Sequence, residues 1–279
     1  MSTLEFTALT GLVSAAAGLL GSLTGLGGGV VIVPVLTLLF GVDIHYAIGA
    51  SLVSVIATSS GAAAAYVREG WSNIRVAMFL EIATCSGALA GAFLVTILPV
   101  RTIAVIFGVA LLWSAWASTR SKKERVDTSG HEDRMAAFFR MDGAYPTTGG
   151  PRSYRAHNIP GGFLVMLLAG ILSGLLGIGS GALKVIAMDQ VMRLPFKVST
   201  TTSNFMIGVT AAASAGVCLH RGYIDPGLAM PVMLGVLAGS LAGAKLLGGV
   251  KTPVLRWVFA AVIVALAVQM LYSGAKGTL

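Results

Sequence analysis

Two glycine-rich clusters are the strongest indication of a binding site in this sequence. Each lies inside an apolar stretch, about 17 residues from its start. Glycine is the poorest helix former after proline, so these clusters predict a break in each helix. The half-helix after a break presents unpaired N–H groups and a positive dipole end, which suit an anion. The alternative is a glycine surface for close helix packing. The clusters comprise Gly25, Gly27, Gly28 and Gly29, and then Gly177, Gly179, Ser180 and Gly181.

Hydroxyl side chains follow each cluster on the next apolar segment. Ser51 and Thr58 share an i, i+7 spacing with Ser203 and Thr210, which keeps each pair on one helical face. Such groups could donate hydrogen bonds to a sulfonate, a sulfite or a carboxylate. The alternative is that they bond to carbonyls of their own helix or bridge helices. The denser second stripe adds Ser199, Thr202 and Asn204 to the candidate binding residues.

Three ionisable residues stand in an apolar context, where charges are costly and usually face a partner or a cavity. Lys184 follows the second glycine cluster by three residues, so it could supply positive charge to a bound anion. Glu81 and Asp189 are candidates for coupling transport to a proton or another ion. A structural ion pair, or side chains that reach toward the membrane interface, is the alternative for all three.

The elements that position these residues are predicted to be membrane helices. Of 279 residues, 56% are hydrophobic and only 11% are charged, against roughly 25% charged in soluble domains. Eight apolar stretches occur, most of them near the roughly 20 residues that one span requires. The predicted fold class is therefore an all-α polytopic membrane protein. The four histidines form no cluster with metal-ligand spacing, so neither a metal nor another cofactor is expected.

The two halves of the chain resemble each other when one is shifted by 152 residues. Gly18 then falls on Gly170, and Ser51 falls on Ser203. Because one register holds over roughly 80 residues, we expect two homologous repeats, each with a glycine-broken hairpin and three spanning helices. Secondary transporters often carry such repeats, with the substrate site where the repeats meet. The predicted units are residues 1–119, a polar linker at 120–160, and residues 161–279.

The linker is rich in basic residues, proline and glycine, and we expect it to be loosely ordered and cytoplasmic. A short amphipathic helix near residues 135–141 is a further expectation. If each glycine-broken stretch returns to its own side, six further basic residues lie inside and three outside. This hairpin arrangement satisfies the charge rule better than single crossings do, and it makes the repeats inverted. The inside group is Arg68, Arg75, Arg193, Lys197, Lys251 and Arg256, and the outside group is Arg101, Arg221 and Lys276.

The sequence resembles the sulfite exporter TauE/SafE family of anion transporters over nearly the whole chain outside the linker. The resemblance rests on the two glycine clusters, on the segment 47–52 and on the segment 197–204. It implies movement of an organosulfur anion, such as sulfite, thiosulfate or a sulfonate, across a bacterial inner membrane. The second cluster departs from the usual glycine run at Ser180, and Lys184 stands where the first half has Ile32. The two sites are therefore not expected to be equivalent.

The leading hypothesis is a secondary transporter, not an enzyme, that encloses one small anion near the middle of the membrane. A channel-like anion pore is the first alternative. A membrane-embedded enzyme would need a catalytic set of residues within the membrane, and none is evident. The expected partners are the anion, the lipid bilayer and a coupling proton or ion, and a homo-oligomer is left open. Nucleic acid is not expected, because basic residues do not alternate with aromatic ones on any face.

Overall fold

The computed structural model describes residues 3–24, 29–68, 70–119, 134–146, 150–246 and 252–276. These residues form eleven α-helices, one π-helical turn and a two-stranded antiparallel sheet. The elements are α1 (Thr3–Thr24), α2 (Gly29–Phe40), α3 (Ile44–Arg68), α4 (Ile74–Val95), α5 (Val100–Thr119), α6 (Arg134–Phe138), β1 (Gly143–Tyr145), β2 (Arg152–Tyr154), α7 (Ile159–Leu176), α8 (Gly181–Ile186), the π-helical turn Ala187–Val191, α9 (Phe196–His220), α10 (Pro226–Leu246) and α11 (Thr252–Lys276).

Three of the described helices, α4, α7 and α9, are long and apolar enough to span a membrane. Large apolar side chains also face outward, such as Ile82, which is 62% exposed, and Leu234, which is 56% exposed. A water-soluble surface rarely carries apolar groups in such number, whereas lipid solvates them. The prediction of an α-helical membrane protein is confirmed.

The helices α1 and α2 form a hairpin. The ring of Phe6, near the start of α1, lies 5.6 Å from the ring of Phe40, the last residue of α2. The chain therefore returns to the end of the molecule from which it entered. A single crossing would separate these two rings by the length of both helices, since each residue adds about 1.5 Å of rise.

The helix α7 and the segment formed by α8 and the π-helical turn make a second hairpin. The His157 N–H, just before α7, donates to the carbonyl of Met192, just after the π-helical turn, at 3.0 Å. The open end of this hairpin lies at the linker, whereas the open end of the first hairpin lies beside the start of α3. The helix α4 runs from one of these open ends to the other. Asn73, just before its start, binds linker residues, and the carbonyl oxygen of Val95, at its end, lies 3.2 Å from His45 Nε2 on α3.

Small residues allow helices of the two halves to pack at close range. A Cβ atom on Gly170 of α7 would overlap the carbonyl of Thr84 on α4, and one on Gly18 of α1 would overlap the carbonyl of Val236 on α10. These two contacts are displaced from each other by the same 152 residues that relate the halves of the sequence. Membrane helices associate through such close backbone approach, since lipid removes the hydrophobic driving force between them.

The described part of the linker is folded, so the expectation of a loosely ordered segment is wrong there. Strands β1 and β2 pair antiparallel, and the Met141, Tyr145 and Tyr154 side chains pack against the start of α4 in one apolar cluster. The Asn73 side-chain amide donates to Met141 O and to the Tyr154 hydroxyl, each at 2.8 Å. The polar composition of the linker concealed a few large apolar groups that are sufficient to order it. A helix does occur near residues 135–141, at α6.

Candidate functional site

The second glycine cluster breaks its helix, as predicted. The helix α7 ends at Leu176, and α8 begins at Gly181. Between them the chain takes left-handed φ values of 68° at Gly177, 71° at Gly179 and 48° at Ser180. Glycine accepts this conformation without steric cost, but a serine there costs roughly 1–2 kcal/mol. Retained backbone strain of this kind is concentrated at binding sites, which motivates a functional interpretation of the turn.

The first glycine cluster lies only partly within the described residues. Gly25, Gly27 and Gly28 fall outside them, while Gly29 is the buried first residue of α2. The described helices α1 and α2 flank residues 25–28.

The two hairpins touch at their tips through Ser51 of α3. The Ser51 hydroxyl lies 2.7 Å from Gly177 O and 3.3 Å from Gly29 O, so it can donate to either carbonyl. In the second half, the Ser203 hydroxyl of α9 donates to Gly181 O at 3.3 Å. Both hydroxyls were predicted to face a ligand, yet here each holds a hairpin in place. Their hydrogens are directed at the main chain, which leaves the oxygen lone pairs as acceptors.

The remaining predicted hydroxyls have different surroundings. Thr58 is half-buried and bonds to Ser54 O of its own helix at 3.0 Å. Thr202 is buried and accepts from the Asn73 N–H at 3.0 Å, so it ties α9 to the start of α4. Ser199 is buried with no hydrogen-bond partner among the described residues, and Asn204 is half-buried. The structure therefore does not gather the whole predicted stripe at one point.

Lys184 is the centre of a buried polar network. It lies one turn after the second break, and its side chain is 0% exposed. Its ammonium group donates to the Thr210 hydroxyl at 2.5 Å and to Met206 O at 3.2 Å, both on α9. An unpaired buried ammonium would be very costly, so the surrounding oxygens are needed to keep the charge inside the bundle.

Glu81 of α4 forms the other end of this network. Its side chain is 7% exposed, and Oε1 accepts from the Thr210 hydroxyl at 2.6 Å and from the Cys85 thiol at 3.2 Å. Thr210 thus connects the carboxylate of α4 to the ammonium of α8. The sequence pointed to each of these charges separately. It did not identify Cys85 as a partner of Glu81, although their i, i+4 spacing places both on one face of a helix.

Asp189, the second coupling candidate, lies in the π-helical turn and is half-buried. Single π turns are frequent at functional sites. Asp189 does not contribute an atom to the contacts that join Lys184, Thr210 and Glu81. The carboxylate that the structure links to Lys184 is therefore Glu81.

A cavity of about 450 Å³ opens beside the second break. Its walls are apolar and come from α5, from α7 and from the start of α2. Ser180 belongs to the lining, and its hydroxyl is buried without a hydrogen-bond partner among the described residues. An apolar pocket with a few polar groups is typical of a small-molecule site. No group of three potential metal-ligating side chains was found within the described ranges.

Hairpins that meet inside an apolar bundle, beside a buried cation, define the class of this protein as a helical membrane transporter. The chain belongs to the sulfite exporter TauE/SafE family, whose family model matches residues 10–270. The resemblance noted from the sequence is confirmed. The family implies a small-molecule substrate and a protein embedded in a membrane.

Curated relatives have names consistent with this assignment. The chain is 28% identical over 265 residues to the probable membrane transporter protein YunE of Bacillus subtilis. The alignment covers 92% of this chain and 94% of the relative. It is 23% identical over 270 residues to the probable membrane transporter protein MJ0441 of Methanocaldococcus jannaschii, with 91% of each chain covered. No solved structure matches the chain significantly.

Proposed function

We propose that this protein is a secondary transporter that moves a small organosulfur anion, such as sulfite, thiosulfate or a sulfonate, across the inner membrane. One observation carries this proposal: the Ser51 hydroxyl lies within hydrogen-bond distance of both Gly29 O and Gly177 O, so the two hairpins meet there, and the buried Lys184 follows the second break by one turn. Main-chain N–H groups at a break and a nearby cation both favour a negative ligand. The family name supports sulfite or a related anion as the substrate class.

The proposed site lies between the two hairpin tips. Gly29, Gly177, Gly179 and Gly181 would offer main-chain groups there, and Ser180 would offer a free hydroxyl. Lys184 supplies the charge, while Ser51 and Ser203 hold the tips. Gly25, Gly27 and Gly28 belong to the proposed site from the sequence alone. Thr58, Ser199, Thr202 and Asn204 remain candidates that would require a shift of α3 or α9 to reach the same anion.

We further infer that the two halves are inverted repeats. The open end of the first hairpin lies at the end of the molecule opposite the linker, and the open end of the second lies at the linker. Interhelical contacts recur with the displacement of 152 residues, as Gly87 against Leu167 and Gly239 against Ala15 illustrate. Inverted repeats provide two related conformations that open the same site to opposite sides. This supports alternating access over a permanently open pore.

The linker end is proposed to face the cytoplasm. Arg75, Arg193 and Lys197 are exposed at that end, beside the basic linker itself. Short cytoplasmic loops carry an excess of such residues. An Arg193→Cys variant in intact cells tests the orientation, because an impermeant thiol reagent should label it only after the membrane is opened. Labelling of sealed cells would reverse the assignment.

The substrate class is tested by a binding screen with the purified protein. We expect methanesulfonate, thiosulfate or sulfite to raise the midpoint of thermal unfolding, by mass action on the folded state, more than acetate or chloride does. The Lys184→Met variant should lose this response, whereas Ile32→Met at the matching position of the first half should keep it. Saturable counterflow in proteoliposomes distinguishes a transporter from a pore. The proposal fails if no anion shifts the unfolding of the wild type.

A further inference from the structure

We propose that Glu81 is the proton-binding site of a proton-coupled anion transporter, linked to the anion through Thr210 and Lys184. This inference rests on the proposed function and adds the coupling ion and its site. Three elements converge on the network: Glu81 lies on α4, Thr210 on α9 and Lys184 on the α8 arm of the second hairpin. The hairpin arm that carries Lys184 is therefore tied to a carboxylate.

The two carboxylate oxygens of Glu81 have different surroundings. Oε1 accepts both hydrogen bonds, from Thr210 at 2.6 Å and from Cys85 at 3.2 Å. Oε2 is buried and has no hydrogen-bond partner among the described residues. Buried polar atoms are nearly always paired, so an exception needs an explanation. A proton can bind at Oε2 without displacing the Thr210 hydroxyl from Oε1, and the site is therefore ready to receive one.

Charge balance supplies the reason for coupling. With Lys184 protonated and Glu81 ionised, the network is neutral before an anion binds. A bound anion of charge −1 would leave one uncompensated negative charge inside the bundle, which is costly away from water. A proton on Glu81 restores neutrality, and Lys184 is then balanced by the anion. The expected stoichiometry is one proton for each singly charged anion.

Glu81 is the carboxylate of this network, and the groups packed around it are as follows. Cys85 faces it on α4 and Lys184 faces it from α8, while α9 contributes the neutral Thr210. The helix α7, which packs along α4, contains no titratable residue. On α9, Lys197 and His220 lie at the two ends, and Asp189 lies in the π-helical turn.

The network joins Glu81 of the first half to Lys184 and Thr210 of the second, and the 152-residue shift does not reproduce its charged residues. At the positions related by the 152-residue shift, Lys184 corresponds to Ile32, Glu81 to Met233 and Thr210 to Thr58. Thr58 bonds only to carbonyls of its own helix in the described contacts. Both halves must pack their helices, so a role in packing alone would not require charged residues at these positions. Thr37 of α2 lies outside the proposed site and donates to Val33 O of its own helix at 2.9 Å. It provides a matched control, because its replacement removes the same atoms without affecting the bridge.

Calorimetry on the wild type tests the linkage directly. Methanesulfonate is the probe, because it carries one negative charge throughout the accessible pH range. Titration in buffers of different ionisation enthalpy should show uptake of about one proton for each anion bound. Because binding would take up one proton, the apparent Kd should rise with pH by up to about tenfold for each pH unit. Methanesulfonate binding without proton uptake would overturn the coupling while leaving the anion site intact. Absence of binding by both methanesulfonate and thiosulfate would instead overturn the proposed function.

Variants then assign the proton to Glu81. In proteoliposomes, an inward proton gradient should drive accumulation of methanesulfonate by the wild type, and a potassium diffusion potential should have little effect. Glu81→Gln should lose accumulation driven by protons and should bind the anion with a Kd independent of pH. Thr210→Ala should weaken the linkage, and Thr37→Ala should preserve it. Proton-driven accumulation by Glu81→Gln, or equal effects of the two threonine variants, would refute the assignment. If Glu81→Gln does not fold, Thr210→Ala and the wild-type stoichiometry still decide.

Discussion

Replacement of Lys184 by methionine should destabilise the protein through the charge left behind on Glu81. Methionine keeps most of the apolar stem of lysine, so the packing around a fully buried side chain changes little. The loss is therefore mainly electrostatic. Breaking a buried charge pair by removing one partner costs about 3–5 kcal/mol, which corresponds to a fall of roughly 10 °C or more in the unfolding midpoint.

A double-mutant cycle separates this effect from loss of packing. Glu81→Gln alone should also destabilise, because it leaves the Lys184 ammonium with neutral partners only. The Lys184→Met, Glu81→Gln double variant removes both charges and should recover much of the loss, with a coupling energy of about 1–3 kcal/mol. Thermal unfolding in lipid nanodiscs, followed by circular dichroism, measures each midpoint. Ile32→Met is the control for methionine at a buried position and should cost under about 1.5 kcal/mol.

The cycle can refute the interpretation in two ways. Strictly additive losses of stability in the double variant would mean that Lys184 and Glu81 do not interact through Thr210. Single variants that unfold within about 1 °C of the wild type would mean that the charges are solvated and that the buried network does not exist in the lipid environment.

Four further perturbations test the helix packing, the linker and the hairpin tips. Gly170→Ala should destabilise by about 1–3 kcal/mol in thermal unfolding, because its Cβ overlaps the backbone of Thr84. Gly216→Ala has open space around it and should be neutral or stabilising by up to about 1 kcal/mol. Burial raises the pKa of Tyr154 to about 12 from 10.0. The contribution of this group to the free energy of unfolding is full below pH 10 and is lost as the pH rises toward 12. The wild type should therefore lose more stability than Tyr154→Phe over that range. Equal losses would show that Tyr154 is not buried in this way. Ser51→Ala removes the bond between the hairpin tips and should cost about 1 kcal/mol, and an unchanged midpoint would show that the tips do not depend on it.

The membrane class, the break at the second glycine cluster and the importance of Lys184 could be predicted because each follows from local chemistry. A run of apolar residues requires lipid, and clustered glycines weaken a helix in any context. A charge without water needs partners, whichever residues these are. The spacing between Ser51 and Gly29 equals that between Ser203 and Gly181, and the structure shows the same contact in both pairs. The order in the linker was missed, since the contacts of Tyr154 with Asn73 join residues that are distant in sequence.

The sequence alone determined that this chain belongs in a bilayer, because 11% charged residues cannot cover a water-facing surface. It also determined where the second hairpin turns, because Gly177 and Gly179 adopt the left-handed backbone that other residues avoid. Tertiary structure decided which carboxylate Lys184 meets. Glu81 and Asp189 are both acidic residues in apolar surroundings, and only the packing of α4 against α9 brings Glu81 to Thr210. Partner choice depends on distances between helices, and the sequence of a single helix contains no information about those distances.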